Sequence, residues 1–223
     1  LVAELDPTRP YWANSPWSGS ESMPTNGQYH GDRHTWDVRL KGHRTIVPRF
    51  CSEFGQQAPA HVESLREVLE RDDFKKDSRG LQHRQRATGG MALHIDEVIA
   101  ATGFRPSTDF DDWLMECGVI QSDTAQFAIE WLRVQRPRCM GALIWQLNEP
   151  WAGVSWSLID GAGRLKQAWQ TVRKAFDPRM LSIQLLDGRQ IVCAVNDRDA
   201  AWEGSLRVLL MERETPVRTI HMN

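Results

Sequence analysis

The chain has 223 residues, 41% hydrophobic and 25% charged, which is enough apolar sequence to bury a sizeable core and excludes a disordered tail. Its formal net charge of −2 comes with basic residues scattered along the sequence, so the electrostatic footprint of a nucleic-acid binder is missing. Apolar runs fall short of the roughly 20 residues that span a bilayer, and the opening LVAELDPTRP lacks a basic-then-apolar leader pattern, so neither nucleic acid nor membrane is expected as a partner.

The first residues read as the exit of a strand already under way, and truncation at the front is expected. Ser18 to Gly31, rich in Ser, Gly, Asn and Pro, is expected as a long surface loop. The first clear strand is Thr45 to Cys51, running into Ser52-Glu53-Phe54-Gly55, where glycine permits a turn. Glu53 therefore falls at a strand's C-terminal end. Val62 to Glu70 is rich in helix formers. Ser122 can cap a helix whose apolar residues Ala125, Ala128, Ile129 and Leu132 follow the i, i+3, i+4, i+7 pattern. The nearly unbroken apolar run from Cys139 to Leu147 has the pattern of a parallel strand buried on both faces, and it ends in polar Asn148 and Glu149.

Strands alternating with helices predict βα units, so the fold class expected is α/β, with residues 1–176 forming the C-terminal half of a TIM (β/α)₈ barrel. A whole barrel takes about 250 residues and carries its active site at the C-terminal ends of its strands, where Glu53 and the Asn148-Glu149 pair would lie. From Asp177-Pro178 the pattern changes. Leu181, Ile183 and Leu185 alternate, Asp187-Gly188 is a hairpin turn, Ile191 to Val195 returns, and Leu206, Val208 and Leu210 alternate again. Residues 177–223 are expected as the beginning of an immunoglobulin-like β-sandwich, truncated because too few strands are present to close it.

Cys51, Cys117, Cys139 and Cys193 are far apart and are expected as buried free thiols. Ten tryptophans are many for this length, and several sit beside Asn, Asp, Pro or Gly in expected loops. Such rings can serve as stacking platforms for sugars, although core packing is the commoner role of any one of them.

Several stretches together carry a family likeness: LDPTRPYWANSPWSG at 5–19, GDRHTWDV at 31–38, PRFCSEFGQQAP at 48–59, LQHRQRATGG at 81–90 and IWQLNEPWAGVSWSLIDGAGRLKQAW at 144–169. On these residues the chain resembles the β-mannosidases of glycoside hydrolase family 2. The resemblance implies a barrel flanked by β-sandwiches and a retaining double displacement through a covalent glycosyl-enzyme intermediate, with Glu53 as nucleophile. That carboxylate must be ionised to attack, so hydrogen-bond donors are expected around it. The mechanism takes two carboxylates about 5–5.5 Å apart. The family's acid/base is the Glu of an Asn-Glu pair upstream of the nucleophile, and Glu4 and Glu21, the only glutamates before Glu53, do not match it. Glu149 follows an asparagine but lies in the stretch resembling the last barrel strand, and is expected to be structural. The acid/base is thus expected outside these residues, which leaves the fragment alone inactive.

The resemblance further implies that Trp145 forms the platform beneath the sugar and that Trp36 walls the same subsite. His34 and Asp32 would bond sugar hydroxyls or cap the loop. Trp12, Trp17, Trp151 and Trp156 are expected at the rim or in packing, and Trp113, Trp131, Trp169 and Trp202 away from substrate. The chain departs from the family at Arg39, where Trp-Asp-Val is usually followed by Trp, and at Gln56, where an aromatic is usual. The implied partner is a β-mannoside oligosaccharide or glycan, with no cofactor and no metal, since two carboxylates suffice. Two alternatives accompany this reading: another family 2 β-glycosidase of the β-galactosidase or β-glucuronidase type, and a catalytically inactive carbohydrate-binding fragment. Compartment and oligomeric state are open.

Overall fold

In the computed structural model, which describes residues 1–222, the chain enters through a one-turn helix, α1 (Val2–Leu5), and a long irregular segment leading to strand β1 (Arg33–His34). A 3₁₀ turn (Leu40–Thr45) precedes β2 (Cys51–Phe54) and β3 (Ala58–Pro59). Then come α2 (Val62–Arg66), α3 (Arg79–His83), a π turn (Ala92–Asp96) continuing into α4 (Glu97–Ala100), and the long helix α5 (Phe110–Val134). Strands β4 (Ala142–Ile144) and β5 (Val154–Ser155) are followed by α6 (Ala168–Ala175), and the chain finishes in two hairpins, β6 (Arg179–Leu186) with β7 (Arg189–Asn196) and β8 (Leu206–Glu212) with β9 (Thr215–Met222).

The site rests on a three-stranded parallel sheet ordered β1-β2-β4. His34 stands opposite Glu53, and Phe54 opposite Ile144. Helix α5, about 37 Å long at 1.5 Å per residue, joins two apolar clusters. Its first half brings Trp113, Cys117 and Ile120 to Leu65, Leu81, Ile95 and Ile99. Its second half brings Ala125, Ala128, Ile129 and Leu132 between Cys51 and Phe54 of β2 and Ala168, Val172 and Ala175 of α6.

Four expectations are corrected. The apolar stretch from Thr45 is not strand from its start: Thr45 ends the 3₁₀ turn, Pro48 has no N–H to offer, and the ladder begins where Arg49 and Phe50 carbonyls accept from Met140 and Arg33 amides, both at 2.9 Å. Ser122 does not cap a helix but sits inside α5, its hydroxyl bonded back to the Gly118 carbonyl at 2.7 Å. The cap is Asp109, whose carboxylate accepts from the Asp112 amide at 3.0 Å. The run at Cys139–Leu147 is a parallel strand for only three residues and is not buried on both faces. Ala142 and Ile144 pack toward α5, whereas Leu143, on an edge strand with no cover on its other face, is 54% exposed. Cys51, Cys117 and Cys139 are buried free thiols, but Cys193 is only half-buried.

Both central residues of the β6–β7 turn have positive φ, Asp187 at 49° and Gly188 at 74°, which matches the twist of a two-residue hairpin. The hairpin docks by the mixed face of Met180, Ser182 and Gln184, which are buried, and Ser182 donates to Glu130 of α5. Leu181, Ile183 and Leu185 point to solvent.

Candidate active site

Strand β2 delivers Glu53 to the sheet's C-terminal edge, half-buried, with its backbone carbonyl taken by the Thr35 amide at 2.9 Å. Two side chains from the end of β1 and the residues just after it approach one carboxylate oxygen. Trp36 Nε1 lies 3.0 Å from Glu53 Oε2, and His34 Nδ1 lies 3.3 Å from the same atom. Among the described residues Oε1 receives no hydrogen bond, so one oxygen is held and the other is free to react.

β1 reaches this register because a side chain completes its outer edge. Asn26 Oδ1 accepts from the His34 amide at 2.8 Å and its Nδ2 donates to the His34 carbonyl at 2.9 Å, the pairing another strand would make. One residue earlier, Asp32 is the hub of the entry loop. Its carboxylate accepts from Trp12 Nε1 (3.0 Å), the Trp17 amide (2.9 Å), Ser15 Oγ (2.6 Å) and Ser52 Oγ (2.5 Å). Burial works to raise its pKa, but the bonds from Ser15, Ser52, Trp12 and Trp17 outweigh it and hold the carboxyl below the usual range. With four donors on two oxygens, Asp32 has no lone pair to spare for a sugar hydroxyl.

Glu53 opens into a cavity of about 350 Å³ lined by Trp36, Trp145, Trp156, His94 and Arg39. Trp145 follows β4, and its amide donates to the Phe54 carbonyl at 2.8 Å. Gly55 permits that approach, because a Cβ there would stand 2.2 Å from the Trp145 carbonyl oxygen. The Trp36 and Trp156 rings lie 5.8 Å apart at 59°, and His94 meets the Trp156 edge at 5.5 Å. Arg39 donates to the Leu93 carbonyl at 2.7 Å, tying the wall to the π turn. Of the residues foreseen at the site, Glu53, Trp36 and Trp145 line this cavity and His34 braces Glu53 from behind.

Trp156 and His94 were not foreseen there. Trp156 lies in the motif at 144–169 but was expected at the rim, and nothing in the sequence around His94 marks it. Buried polar groups hold Trp156 in place. Gln121 of α5 donates from Nε2 to the carbonyls of Gln56 (2.9 Å), Ser157 (3.1 Å) and Trp156 (3.3 Å). Lys166 donates to the Ala58 (2.6 Å) and Ser155 (3.1 Å) carbonyls and to Ser157 Oγ (3.3 Å). Burial pushes its ammonium down to about 8, against the pull of Glu149 and Asp160.

Glu149 is buried, accepts from the Ser155 hydroxyl and does not line the Glu53 cavity. Cys51 lies on β2 two residues before Glu53, and burial pushes its thiol up to about 12, so it offers no thiolate nucleophile at neutral pH. His30, four residues before His34 and so at a spacing that can serve a metal, is exposed, and among the described residues no group of three or more His, Cys, Asp or Glu is placed to hold one. The chemistry on offer is one carboxylate with a free oxygen, in a cavity whose aromatic walls suit the C–H faces of a sugar ring.

No protein-family model matches the chain. It is 28% identical over 197 residues to β-mannosidase B of Aspergillus flavus, covering 82% of this chain and 22% of that protein. β-Mannosidase B of Aspergillus niger matches to the same extent. Its structure is similar to that of a β-D-mannosidase from Dictyoglomus thermophilum, with a TM-score of 0.82, 30% identity, and coverage of 99% of this chain and 28% of the other. The exo-chitosanase CsxA of Amycolatopsis orientalis shares the fold at a TM-score of 0.59 and 14% identity, over 78% of this chain and 22% of the other. The resemblance to β-mannosidases read from the motifs is borne out, and the chain spans about a quarter of the length of the relatives it matches.

Proposed function

We propose that the chain is the nucleophile-bearing part of a retaining β-mannosidase, in which residues 1–176 form half of a (β/α)₈ catalytic barrel and residues 177–223 begin a β-sandwich. The observation that carries this reading is Glu53: a carboxylate at the end of a parallel strand, held through one oxygen by Trp36 and His34, with its other oxygen open to an aromatic cavity. In this reaction Oε1 attacks the anomeric carbon of a terminal β-mannoside, the glycosidic bond breaks, and its oxygen leaves with a proton from an acid. Water then releases mannose from the Glu53 ester. Trp145 lies under the sugar, Trp36 and Trp156 wall it, and His34 holds the nucleophile. The acid comes from outside the 223 residues, because Glu53 is the one carboxylate lining the cavity among the described residues. The preference for mannose rests on the named relatives.

This division of labour suggests a test that needs no acid. A 2-fluoro-β-mannoside with dinitrophenolate as leaving group departs without protonation, so the chain should accumulate a mannosyl ester on Glu53, visible as a mass increase on the peptide containing Ser52-Glu53-Phe54 and absent in Glu53→Gln. Labelling by the gluco or galacto analogue in preference to manno would favour a different β-glycosidase. Mannoside binding that survives Glu53→Ala, with no ester formed by the native chain, would favour a binding fragment.

A further inference from the structure

The cavity in front of Glu53 has one permanent cation in its wall. Arg39, three residues after Trp36, is exposed and lines the cavity with Glu53, Trp36, Trp145 and Trp156. It is the one Lys or Arg among the lining residues, and a guanidinium is not deprotonated in proteins. Its Nη1 donates to the Leu93 carbonyl at 2.7 Å, which anchors the group to the π turn by one arm. On the same planar group Nε–H and an N–H of Nη2 point side by side, and among the described residues neither has a partner. Arg39 forms no ion pair among those residues, and Asp37, the nearest acid in sequence, is taken by Arg33. Two parallel N–H groups on a cation match the two oxygens of a carboxylate.

We propose that Arg39 is a specificity-determining residue whose Nε–H and Nη2–H receive a carboxylate carried by the aglycone, as on a uronic acid unit to which the terminal mannose is linked. This assignment rests on the reading of Glu53 as the nucleophile of a β-mannosidase and names the substrate class of that site. The rings of Trp36, Trp145 and Trp156 suit the C–H faces of mannose and offer no charge, so the acidic group belongs to the next unit. An exposed side chain on the wall meets the part of a ligand that leads out to solvent. One cation balances the single charge of a carboxylate, whereas a phosphomonoester, at about −1.5 to −2, would keep uncompensated charge. The bond to Leu93 holds the fork ready, which lowers the ordering cost of using it. Arg39 is also a point at which the chain departs from the β-mannosidase pattern, so the family likeness does not itself supply this contact.

Titration calorimetry of the 223-residue chain with β-mannosyl-glucuronic acid and with its methyl ester reads the contact directly, because esterification removes the charge and leaves the sugars unchanged. The native chain should bind the acid about tenfold more tightly than the ester. That preference should shrink as salt rises from about 0.05 M to about 1 M. In Arg39→Met the preference should vanish while the ester is bound as before; an arm that only braces Leu93 would instead weaken both ligands alike. Arg39→Lys keeps the charge without the fork and should keep part of the preference, and with the salt series it serves should Arg39→Met fail to fold. Equal binding of acid and ester by the native chain, a preference that survives in Arg39→Met, or binding of neither ligand overturns the role of Arg39. Formation of the Glu53 ester from the 2-fluoro mannoside tests the underlying function separately. An ester formed without any preference for the acid keeps the nucleophile and loses the Arg39 contact. A preference lost in Arg39→Met, with no ester in the native chain, keeps the contact and loses the proposed function.

Discussion

The indole N–H of Trp36 is 3.0 Å from Glu53 Oε2, on the oxygen that His34 also approaches at 3.3 Å, so both contacts fall on one side of the carboxylate. Trp36→Phe keeps the ring against Trp156 and removes only that N–H. A hydrogen bond to a charged group is worth about 1.5–3 kcal/mol. On the proposed function, formation of the Glu53 ester should slow roughly tenfold to a hundredfold while thermal stability hardly changes, because Trp36 is partly exposed. Stopped-flow release of dinitrophenolate would measure this.

Gly55, the residue after β2, is where the backbone passes close to Trp145. An added Cβ would meet the Trp145 carbonyl oxygen at 2.2 Å and Trp156 Cδ1 at 3.3 Å. Gly55→Ala must displace both tryptophans, and overpacking of this kind costs about 1–3 kcal/mol. The unfolding free energy from urea titration should fall by that amount, and near-ultraviolet dichroism from the tryptophans should change with it. A variant that retains both native values would mean the cavity wall is not held at this point.

His43 is buried edge-on against Phe54, and burial lowers its pKa to about 4, against a small opposing pull from Asp37. Above pH 6.5 it is neutral in both folded and unfolded chains and contributes no pH dependence. Between 6.5 and 4 the unfolded chain takes up a proton that the folded chain refuses, so stability falls as pH drops through that window, by up to about 3 kcal/mol. Urea titrations at pH 7 and pH 4.5 should show this loss in the native chain and little of it in His43→Leu.

Asp109 and Ser122 distinguish one helix from two. If α5 runs unbroken from Phe110, Asp109→Ala removes its cap and should cost about 1 kcal/mol. Ser122→Ala removes a hydroxyl that bonds back within the helix and should be near neutral, within about 0.5 kcal/mol. Denaturation of the two variants side by side gives the order, and the reverse order would place a helix start at Ser122.

Local chemistry along the chain was enough to identify Glu53 at a strand end, the Asp187-Gly188 turn between alternating strands, the buried thiols at Cys51, Cys117 and Cys139, and helix over Val62–Arg66 and Ala125–Leu132. These follow from features within a few residues: a turn needs positive φ, and an amphipathic helix repeats every three or four positions. The motif that contains Trp145 also contained Trp156, but a motif does not say which of its rings turns inward.

Tertiary structure decided the rest. His94 enters the cavity because a π turn far along the chain packs beside Gly55-Gln56, and Lys166 and Gln121 bind carbonyls of segments from which they are remote in sequence. The outward face of Leu143, Leu181, Ile183 and Leu185 could not be read from alternation, which tells that two faces differ and not which one α5 covers. Most of all, Asp32 looks like a polar loop residue until Trp12, Ser15, Trp17 and Ser52 close on it. Hydrogen bonds act over about 3 Å in space, and separation along the sequence carries almost no information about that distance until the chain has folded.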